Sequence, residues 1–290
     1  MQEKFKGIFP ALLTPFDSSG KVNEKELEKL VRYNVEKGVT GFYVGGTTAE
    51  AFLMSVDERK TVMDVVRSAA PESTLIAHVG SLNEREAADL ARYACKLGYD
   101  AASSVTPFYY KFTAEEIKQY YYRLADAAQL PMLMYYFPLY SGVSMAKADL
   151  AAYLADPRFV GMKYTAGDLF LLEQCKTAFP DKVFYCGYDE IFLSALTAGA
   201  DGGVGSTYNF MAEKFVRVRN LFLQGKIEEA RQIQREINRI IAVLFRVGVM
   251  QGEKEVLNQL GFDFGVCRPP FAPLSDEAKA LLRREITEKL

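Results

Sequence analysis

Short apolar segments rich in β-branched and aromatic residues recur along the chain, with longer polar segments between them. Most are apolar throughout rather than alternating with polar residues, which is typical of parallel strands covered on both faces. The segments are GIFPALLTPF from Gly7, GFYVGG from Gly41, TLIAHVG from Thr74, YDAASSVTPF from Tyr99, PMLMYYFP from Pro131, FVGMKYTA from Phe159, KVFYCGYD from Lys182 and ADGGVGST from Ala200. The pattern predicts eight parallel strands.

The polar segments between these strands have the period and the end signals of helices. The clearest are residues 23–37, 55–69, 83–97 and 113–129. Asn23, Ser55 and Thr113 are N-cap residues followed by acidic side chains, and glycines stand where the helices should end. Eight βα units predict an α/β protein of the (β/α)8, or TIM-barrel, type. A doubly wound sheet is the alternative.

The strand pattern stops near residue 211, and the remaining segments are helical in period. We therefore predict a barrel over residues 1–210 that carries the active site, followed by a helical region over residues 211–290. No low-complexity linker separates the two parts, so the helical region is expected to pack on the barrel.

Composition limits the possible functions. The chain has 290 residues, 25% of them charged, and a net charge of −2, so it offers no electrostatic footprint for nucleic acid or anionic lipid. The N-terminal segment MQEKFKGIFP lacks a signal-peptide core, and no run reaches the roughly 18 apolar residues of a membrane span. Four scattered cysteines and one histidine fit no zinc spacing. We expect a cytoplasmic protein with reduced thiols and no metal.

A lysine interrupts the apolar segment VGMKYTAGD. Burial of Lys163 in a barrel strand would disfavour its ammonium form. A neutral amine can attack a carbonyl carbon and form a Schiff base. The alternative is structural, with Lys163 extending to the barrel rim or pairing with an acid such as Asp168.

Other polar side chains fall at the carboxyl ends of the predicted strands, where a TIM barrel places its active site. Tyr135, on the strand before Lys163, could act as general acid and base, although an aromatic strand can also be plain core. The GGTTAE turn offers backbone N–H groups and two hydroxyls to a carboxylate or phosphate. The residues in this position are Thr47, Thr48, Glu50, Tyr109, Tyr110, Tyr135, Lys163, Asp189, Glu190, Ser206 and Thr207.

Seven motifs in register carry a family resemblance from about Gly7 to Pro273. They are YVGGTTAEAF, IAHVG, SSVTPFYY, YYFP, GMKYTAGD, GYDEIF and GADGGVGSTYN. Together they resemble the N-acetylneuraminate lyase branch of the dihydrodipicolinate synthase/N-acetylneuraminate lyase family. The GYDE and GADGGVGSTYN segments are the ones that favour the lyase branch.

The resemblance implies a (β/α)8 barrel with C-terminal helices, commonly a homotetramer, and a class I pyruvate aldolase without metal or other cofactor. It implies that Lys163 forms the Schiff base with pyruvate and that Tyr135 is the catalytic tyrosine. Thr47 and Thr48 would hold the pyruvate carboxylate. Tyr109 would reach in from a neighbouring subunit and complete a hydroxyl relay through Thr47 to Tyr135.

The lyase branch also implies contacts to the hydroxyl-rich part of a sugar acid. The matching positions are Thr165, Gly187, Asp189, Glu190 and Ser206. The expected reaction is cleavage of N-acetylneuraminate to pyruvate and N-acetylmannosamine. For the two acids, capping of the helix in EIFLSALTAG is the alternative, with Asp189 as the expected cap.

Two departures from the family pattern leave the substrate open. Ala49 replaces the usual glycine and could crowd or strain the GGTTAE turn, and Tyr136 replaces the usual asparagine and could resize the pocket. Another 2-keto-3-deoxy sugar acid aldolase is therefore a competing function. A dihydrodipicolinate synthase is less favoured, because no arginine precedes Arg158 in the segment after Pro138. A ligand-binding relative is the alternative without catalysis, and His78 is expected to be a hydrogen-bonded barrel residue.

Overall fold

The computed structural model describes residues 3–290 and has one parallel sheet at its centre. Each strand begins within the apolar segment that predicted it. The strands are β1 Ile8–Pro10, β2 Gly41–Val44, β3 Thr74–His78, β4 Ala101–Val105, β5 Met132–Tyr136, β6 Phe159–Tyr164, β7 Val183–Cys186 and β8 Gly202–Gly205.

The sheet closes into a barrel. Every strand pairs in parallel with the next along the chain from β2 to β8, and β8 pairs with β1. A parallel bridge between Ala11 and Tyr43, with the Leu12 N–H donating to the Tyr43 carbonyl at 3.0 Å, joins β1 to β2 and completes the ring. The predicted TIM barrel is confirmed, and the doubly wound alternative is wrong.

Helices lie between the strands, with caps where the sequence predicted them. The α-helices of residues 3–290 are α1 Glu24–Glu36, α2 Val56–Ala69, α3 Glu84–Lys96, α4 Ala114–Ala128, α5 Pro138–Ser141, α6 Lys147–Leu154, α7 Leu169–Ala178, α8 Phe192–Thr197, α9 Tyr208–Leu223, α10 Ile227–Val247, α11 Val249–Gln259 and α12 Asp276–Glu285. Short 3-10 turns occur at Glu3–Phe5, Ala51–Leu53, Asp189–Ile191 and Thr287–Lys289. Asn23, Ser55 and Thr113 each accept a backbone N–H as N-caps, as expected.

The last helices hold the loop that follows β7. From α10, Gln234 Nε2 donates to the Asp189 carbonyl and Asn238 Nδ2 donates to the Glu190 carbonyl, each at 3.0 Å. Because both acids are candidate site residues, α10 fixes the backbone from which they project. No helix among residues 3–290 has the length and apolar character needed to cross a membrane.

Alternation along the strands separates two cores. Inside the barrel pack residues such as Phe9, Tyr43, Tyr135 and Tyr185, while the opposite strand faces pack against the helices. Tyr136 belongs to the outer layer, where its hydroxyl accepts the Met145 N–H at 3.2 Å. The expectation that Tyr136 could resize the pocket is therefore wrong, because its side chain points away from the barrel interior.

Candidate active site

A cavity of about 360 Å³ opens at the carboxyl ends of the strands. It brings together nearly all of the predicted site residues, which come from the ends of different strands as a TIM-barrel site requires. Those lining it are Thr47, Thr48, Tyr135, Lys163, Thr165, Gly187, Asp189, Glu190 and Ser206. The wall opposite the barrel comes from α10 and α11 and includes Phe245 and Met250.

Lys163 lies inside the barrel and is only 4% exposed. Its Nζ is 4.2 Å from the ring centroid of Tyr135 and 4.5 Å from that of Tyr43, and no carboxylate among residues 3–290 forms an ion pair with it. Burial lowers the pKa of Lys163 to about 7, and the charge of Asp189 only partly opposes this. Near neutral pH a large fraction of Lys163 is therefore a free amine.

The structural alternatives for Lys163 are wrong. Its side chain does not extend to the rim, because it is buried between aromatic rings. Asp168 is the N-cap of α7 and accepts the Leu171 N–H at 3.1 Å, so it does not pair with the lysine.

Tyr135 is the side chain paired in register with Lys163 across β5 and β6. Its burial raises the pKa of the phenol, while the hydroxyls of Thr47 and Thr165 lie close enough to oppose that shift. The phenol is therefore protonated at neutral pH. It can donate a proton to an oxygen on a carbon bound to Lys163.

The GGTTAE turn is held by its neighbours. Gly45 has φ +74°, and Thr48 Oγ1 donates to the Ala11 carbonyl at 3.2 Å. Within this turn, Glu50 has a left-handed backbone conformation (φ +59°) although it is not a glycine, whereas the φ of Ala49 is not positive. The expectation of strain at Ala49 is wrong, because the backbone there suits an alanine.

Asp189 provides a buried carboxylate on the other side of the cavity. Its Oδ2 accepts from the Thr207 N–H at 3.0 Å and from Thr207 Oγ1 at 2.6 Å, whereas Oδ1 is buried with no partner in the part of the chain that the structure describes. Burial raises its pKa to about 6. Asp189 makes no capping bond to the helix that follows, so the capping alternative is not observed.

Glycines make room for the polar groups of this half of the cavity. A Cβ on Gly187 would collide with Thr165 Oγ1, and one on Gly205 would collide with Asp189 Oδ1. Thr165 Oγ1 is itself buried without a partner among the described residues. Unpaired buried oxygens are costly. The Thr165 hydroxyl can therefore donate to a polar ligand or accept from it, and the Asp189 carboxylate can accept from a ligand hydroxyl.

Three of the predicted residues, Glu50, Tyr109 and Tyr110, do not line the cavity. Tyr109 is the one of them with an expected catalytic role. It is 83% exposed, has φ +74°, and its ring lies edge-on to Tyr110 at 5.0 Å between centroids. Within one chain, Tyr109 therefore makes no contribution to the cavity that holds Lys163.

Sequence reasoning missed Glu253, a fully buried acid of α11. Ser206 Oγ and Glu253 Oε1 lie 2.6 Å apart and share a hydrogen bond, and Oε2 is buried without a partner within residues 3–290. Burial raises the pKa of Glu253 to about 8, with the nearby Asp189 adding to the shift. No signal in the sequence distinguished this acid from the exposed acids of the same helical region.

The remaining candidates are structural. The Val105 N–H donates to His78 Nε2 at 3.2 Å, so Nδ1 carries the hydrogen and donates to the Gly45 carbonyl at 2.9 Å. The expectation of a hydrogen-bonded barrel histidine is confirmed. The four cysteines are unpaired, as predicted. Among residues 3–290, no three acids, cysteines or histidines cluster as metal ligands would.

Comparison with known proteins shows which family the chain belongs to. The model of the dihydrodipicolinate synthetase family matches residues 4–289. The chain belongs to this family. Within the dihydrodipicolinate synthetase family, it is 42% identical to the N-acetylneuraminate lyase of Enterobacter sp. strain 638 over 296 residues, covering 100% of both proteins.

Several solved structures similar to this chain share its fold. The N-acetylneuraminate lyase of Fusobacterium nucleatum is 39% identical, with a TM-score of 0.94 and 99% of each chain covered. The same enzyme complexed with pyruvate is also similar, with a TM-score of 0.94. The CdNal protein of Clostridium difficile, solved with mannosamine, is 39% identical, with a TM-score of 0.95 and 98% of each chain covered.

Proposed function

We propose that this protein is a Schiff-base aldolase that cleaves N-acetylneuraminate to pyruvate and N-acetylmannosamine. The observation that carries the proposal is Lys163, a buried amine that forms no ion pair within residues 3–290 and whose pKa is lowered to about 7 beside the protonated Tyr135. Full-length relatives at 42% identity are N-acetylneuraminate lyases, which supports the choice of substrate.

The first chemical step forms a covalent imine. The free amine of Lys163 attacks the C2 keto carbon of the sugar acid and gives a carbinolamine. Tyr135 donates its phenolic proton to the carbinolamine oxygen, which leaves as water. The product is an iminium ion on Lys163 and a phenolate on Tyr135. Thr47 and Thr165 favour that phenolate, because their hydroxyls lower the Tyr135 pKa.

The second step breaks the carbon skeleton. The Tyr135 phenolate takes the proton of the C4 hydroxyl, the C3–C4 bond breaks, and its electron pair moves into the iminium to give an enamine. The aldehyde of N-acetylmannosamine leaves. Protonation of the enamine at C3 regenerates an iminium of pyruvate, and water then hydrolyses it from Lys163.

The remaining cavity residues bind the two ends of the substrate. We assign the pyruvate carboxylate to Thr47 and Thr48, whose turn presents backbone N–H groups and hydroxyls. We assign the hydroxyls of the sugar to Thr165, Gly187, Asp189, Glu190 and Ser206, which line the other half of the cavity. Carboxylates and hydroxyls are suitable partners for a polyol. No further cofactor has a role in this scheme.

The deciding experiment measures pyruvate release from N-acetylneuraminate with a lactate dehydrogenase coupled assay. We expect release by the wild type and none by Lys163→Ala, which should retain a native circular dichroism spectrum. Reduction with borohydride in the presence of pyruvate should add mass at Lys163. An adduct without pyruvate release would keep the aldolase chemistry and replace the substrate by another 2-keto-3-deoxy acid. Absence of both would leave a ligand-binding protein.

We further propose a cytoplasmic homotetramer in which residues 1–210 form the catalytic barrel and residues 211–290 pack on it. Unpaired cysteines support a reducing compartment. The exposed aromatic side chains Tyr109, Tyr110 and Phe112 support an interface beside the cavity, where Tyr109 would enter a neighbouring site. Sedimentation velocity will give the assembly state.

A further inference from the structure

Glu253 lies directly behind a residue that lines the cavity. It projects from α11, is fully buried, and contacts Ser206 Oγ through Oε1 at 2.6 Å. Ser206 follows β8 and faces the cavity, whereas Glu253 does not line it. Any influence of Glu253 on a ligand therefore passes through the Ser206 hydroxyl.

The surroundings of Glu253 disfavour a negative charge. No cation among residues 3–290 pairs with it, and Lys254, its neighbour in α11, is paired with Glu50 instead. The carboxylate of Asp189 is close enough to repel a negative charge on Glu253. Cys267, also nearby, is a buried thiol whose own pKa is raised to about 12. Burial without a counter-charge stabilises the neutral acid.

The unpaired oxygen indicates where the acid carries its proton. Oε2 has no hydrogen-bond partner among the described residues 3–290, so a proton there would be a buried donor without an acceptor. A proton on Oε1 instead lies between Oε1 and Ser206 Oγ, where it forms a hydrogen bond. In that arrangement Ser206 accepts from Glu253 and its own hydrogen is free. An ionised Glu253 can only accept, which forces Ser206 to donate to it.

We propose that Glu253 is a positioning residue whose neutral carboxyl donates to Ser206, so that the Ser206 hydroxyl donates into the sugar half of the cavity. Ionisation of Glu253 reverses that bond and leaves Ser206 able only to accept from the ligand. The sugar half is thereby sensitive to pH in a way that the pyruvate half is not. This inference rests on the proposed function, since it assigns the sugar to the Ser206 side.

The test follows condensation of pyruvate with N-acetylmannosamine at about pH 6.5 and about pH 9, where a group with a pKa of about 8 changes its protonation. For the wild type, we expect the KM for N-acetylmannosamine to rise about fivefold, the size of one lost hydrogen bond. The KM for pyruvate is the internal control. It reports the Lys163 side, and because Lys163 loses its proton over the same interval, this KM should fall rather than rise toward pH 9.

Two variants separate positioning from packing. In Glu253→Gln the amide donates to Ser206 at every pH, so the ratio of the two sugar KM values should fall to about one. In Glu253→Leu Ser206 loses its partner, so the sugar KM should be raised at both pH values without a pH-dependent step. A fivefold rise that persists in Glu253→Gln would overturn the proposal.

A spectroscopic measurement needs no substrate. Infrared spectra of the wild-type protein near pH 6.5 should contain the carbonyl stretch of a buried protonated carboxylic acid that is missing in Glu253→Gln and fades toward pH 9. Absence of that band would overturn the proposal by itself. If the band is present but N-acetylmannosamine is not condensed while pyruvate still labels Lys163, the substrate assignment fails and the neutral Glu253 stands.

Discussion

Lys163 has its lowered pKa because it is buried, and this gives the first prediction. Since the pKa is about 7, the rate of pyruvate adduct formation should rise with pH, with a midpoint near 7. At about pH 6 only about a tenth of the amine is free, whereas above the midpoint the rate should level off. The rate of borohydride-trapped adduct formation, followed by mass spectrometry, measures this directly.

Asp189→Asn is the matched control for that profile. The carboxylate of Asp189 raises the pKa of Lys163, so its removal should move the midpoint of adduct formation to lower pH. The prediction concerns the direction in which the midpoint moves and not the size of the shift. A midpoint that moves upward would mean that Asp189 acts on Lys163 by some route other than its charge.

At the scale of single residues, the sequence predicted the functional side chains that stand out from their neighbours along the chain. Lys163 in an apolar strand and Thr47 in a glycine turn could be found by reading along the chain. Glu253 could not, because its burial depends on α11 meeting the end of β8 in space. The direction of Tyr136 was also missed, since it depends on which face of β5 is turned inward.

Among the elements, the turn after β7 requires a residue without a side chain at position 187, which is Gly187. In Gly187→Ala the new methyl would collide with Thr165 Oγ1, so the threonine or the β7 end must move. We expect a loss of about 1–3 kcal/mol in the free energy of unfolding and a raised KM for the sugar acid. Urea denaturation and the pyruvate-release assay measure the two effects.

Gly167→Ala is the control in a neighbouring loop. A Cβ on Gly167 meets nothing within 4 Å, and its φ is not in the left-handed range. Its unfolding midpoint and KM should match those of the wild type. If both variants were equally affected, the collision with Thr165 would not be the cause.

The elements themselves were highly predictable. Continuous apolar segments gave the strands, and N-caps such as Ser55 gave the helix starts, because both signals arise from neighbours along the chain. The roles of α10 and α11 were not predictable from their period. Gln234 and Asn238 of α10 donate to loop carbonyls, and Glu253 of α11 contacts Ser206, which amphipathic spacing alone does not reveal.

At the scale of the whole molecule, a buried ion pair joins the C-terminal helices to the barrel. The side chains of Lys254 in α11 and Glu50 after β2 are almost fully buried, with Lys254 Nζ 2.5 Å from Glu50 Oε1. Lys254→Met should cost about 3–5 kcal/mol of unfolding free energy, because it leaves the Glu50 carboxylate buried without its cation. The double variant with Glu50→Gln should recover much of that loss in denaturant titrations. No recovery would indicate packing damage instead.

Assembly gives a further prediction at this scale. If Tyr109 enters a neighbouring site, Tyr109→Phe should lower kcat about tenfold or more without changing the sedimentation coefficient, because a proton-relay hydroxyl is lost. Tyr110→Phe, the adjacent exposed tyrosine, is the control. Reassembling Tyr109→Phe chains with Lys163→Ala chains should restore activity above the sum of the two. Strictly additive activity would place Tyr109 outside the neighbouring site.

The pairing of β1 with β8 has a consequence for the newly made protein. β1 is the first strand to leave the ribosome and its partner β8 is the last, so the ring stays open until translation has passed residue 205. Lys163 lies against Tyr43 and Tyr135 inside that ring and loses water only when it closes. In a partly synthesised chain we therefore expect Lys163 to be an ordinary ammonium group, which would gain its reactivity toward keto acids only once β8 has paired with β1.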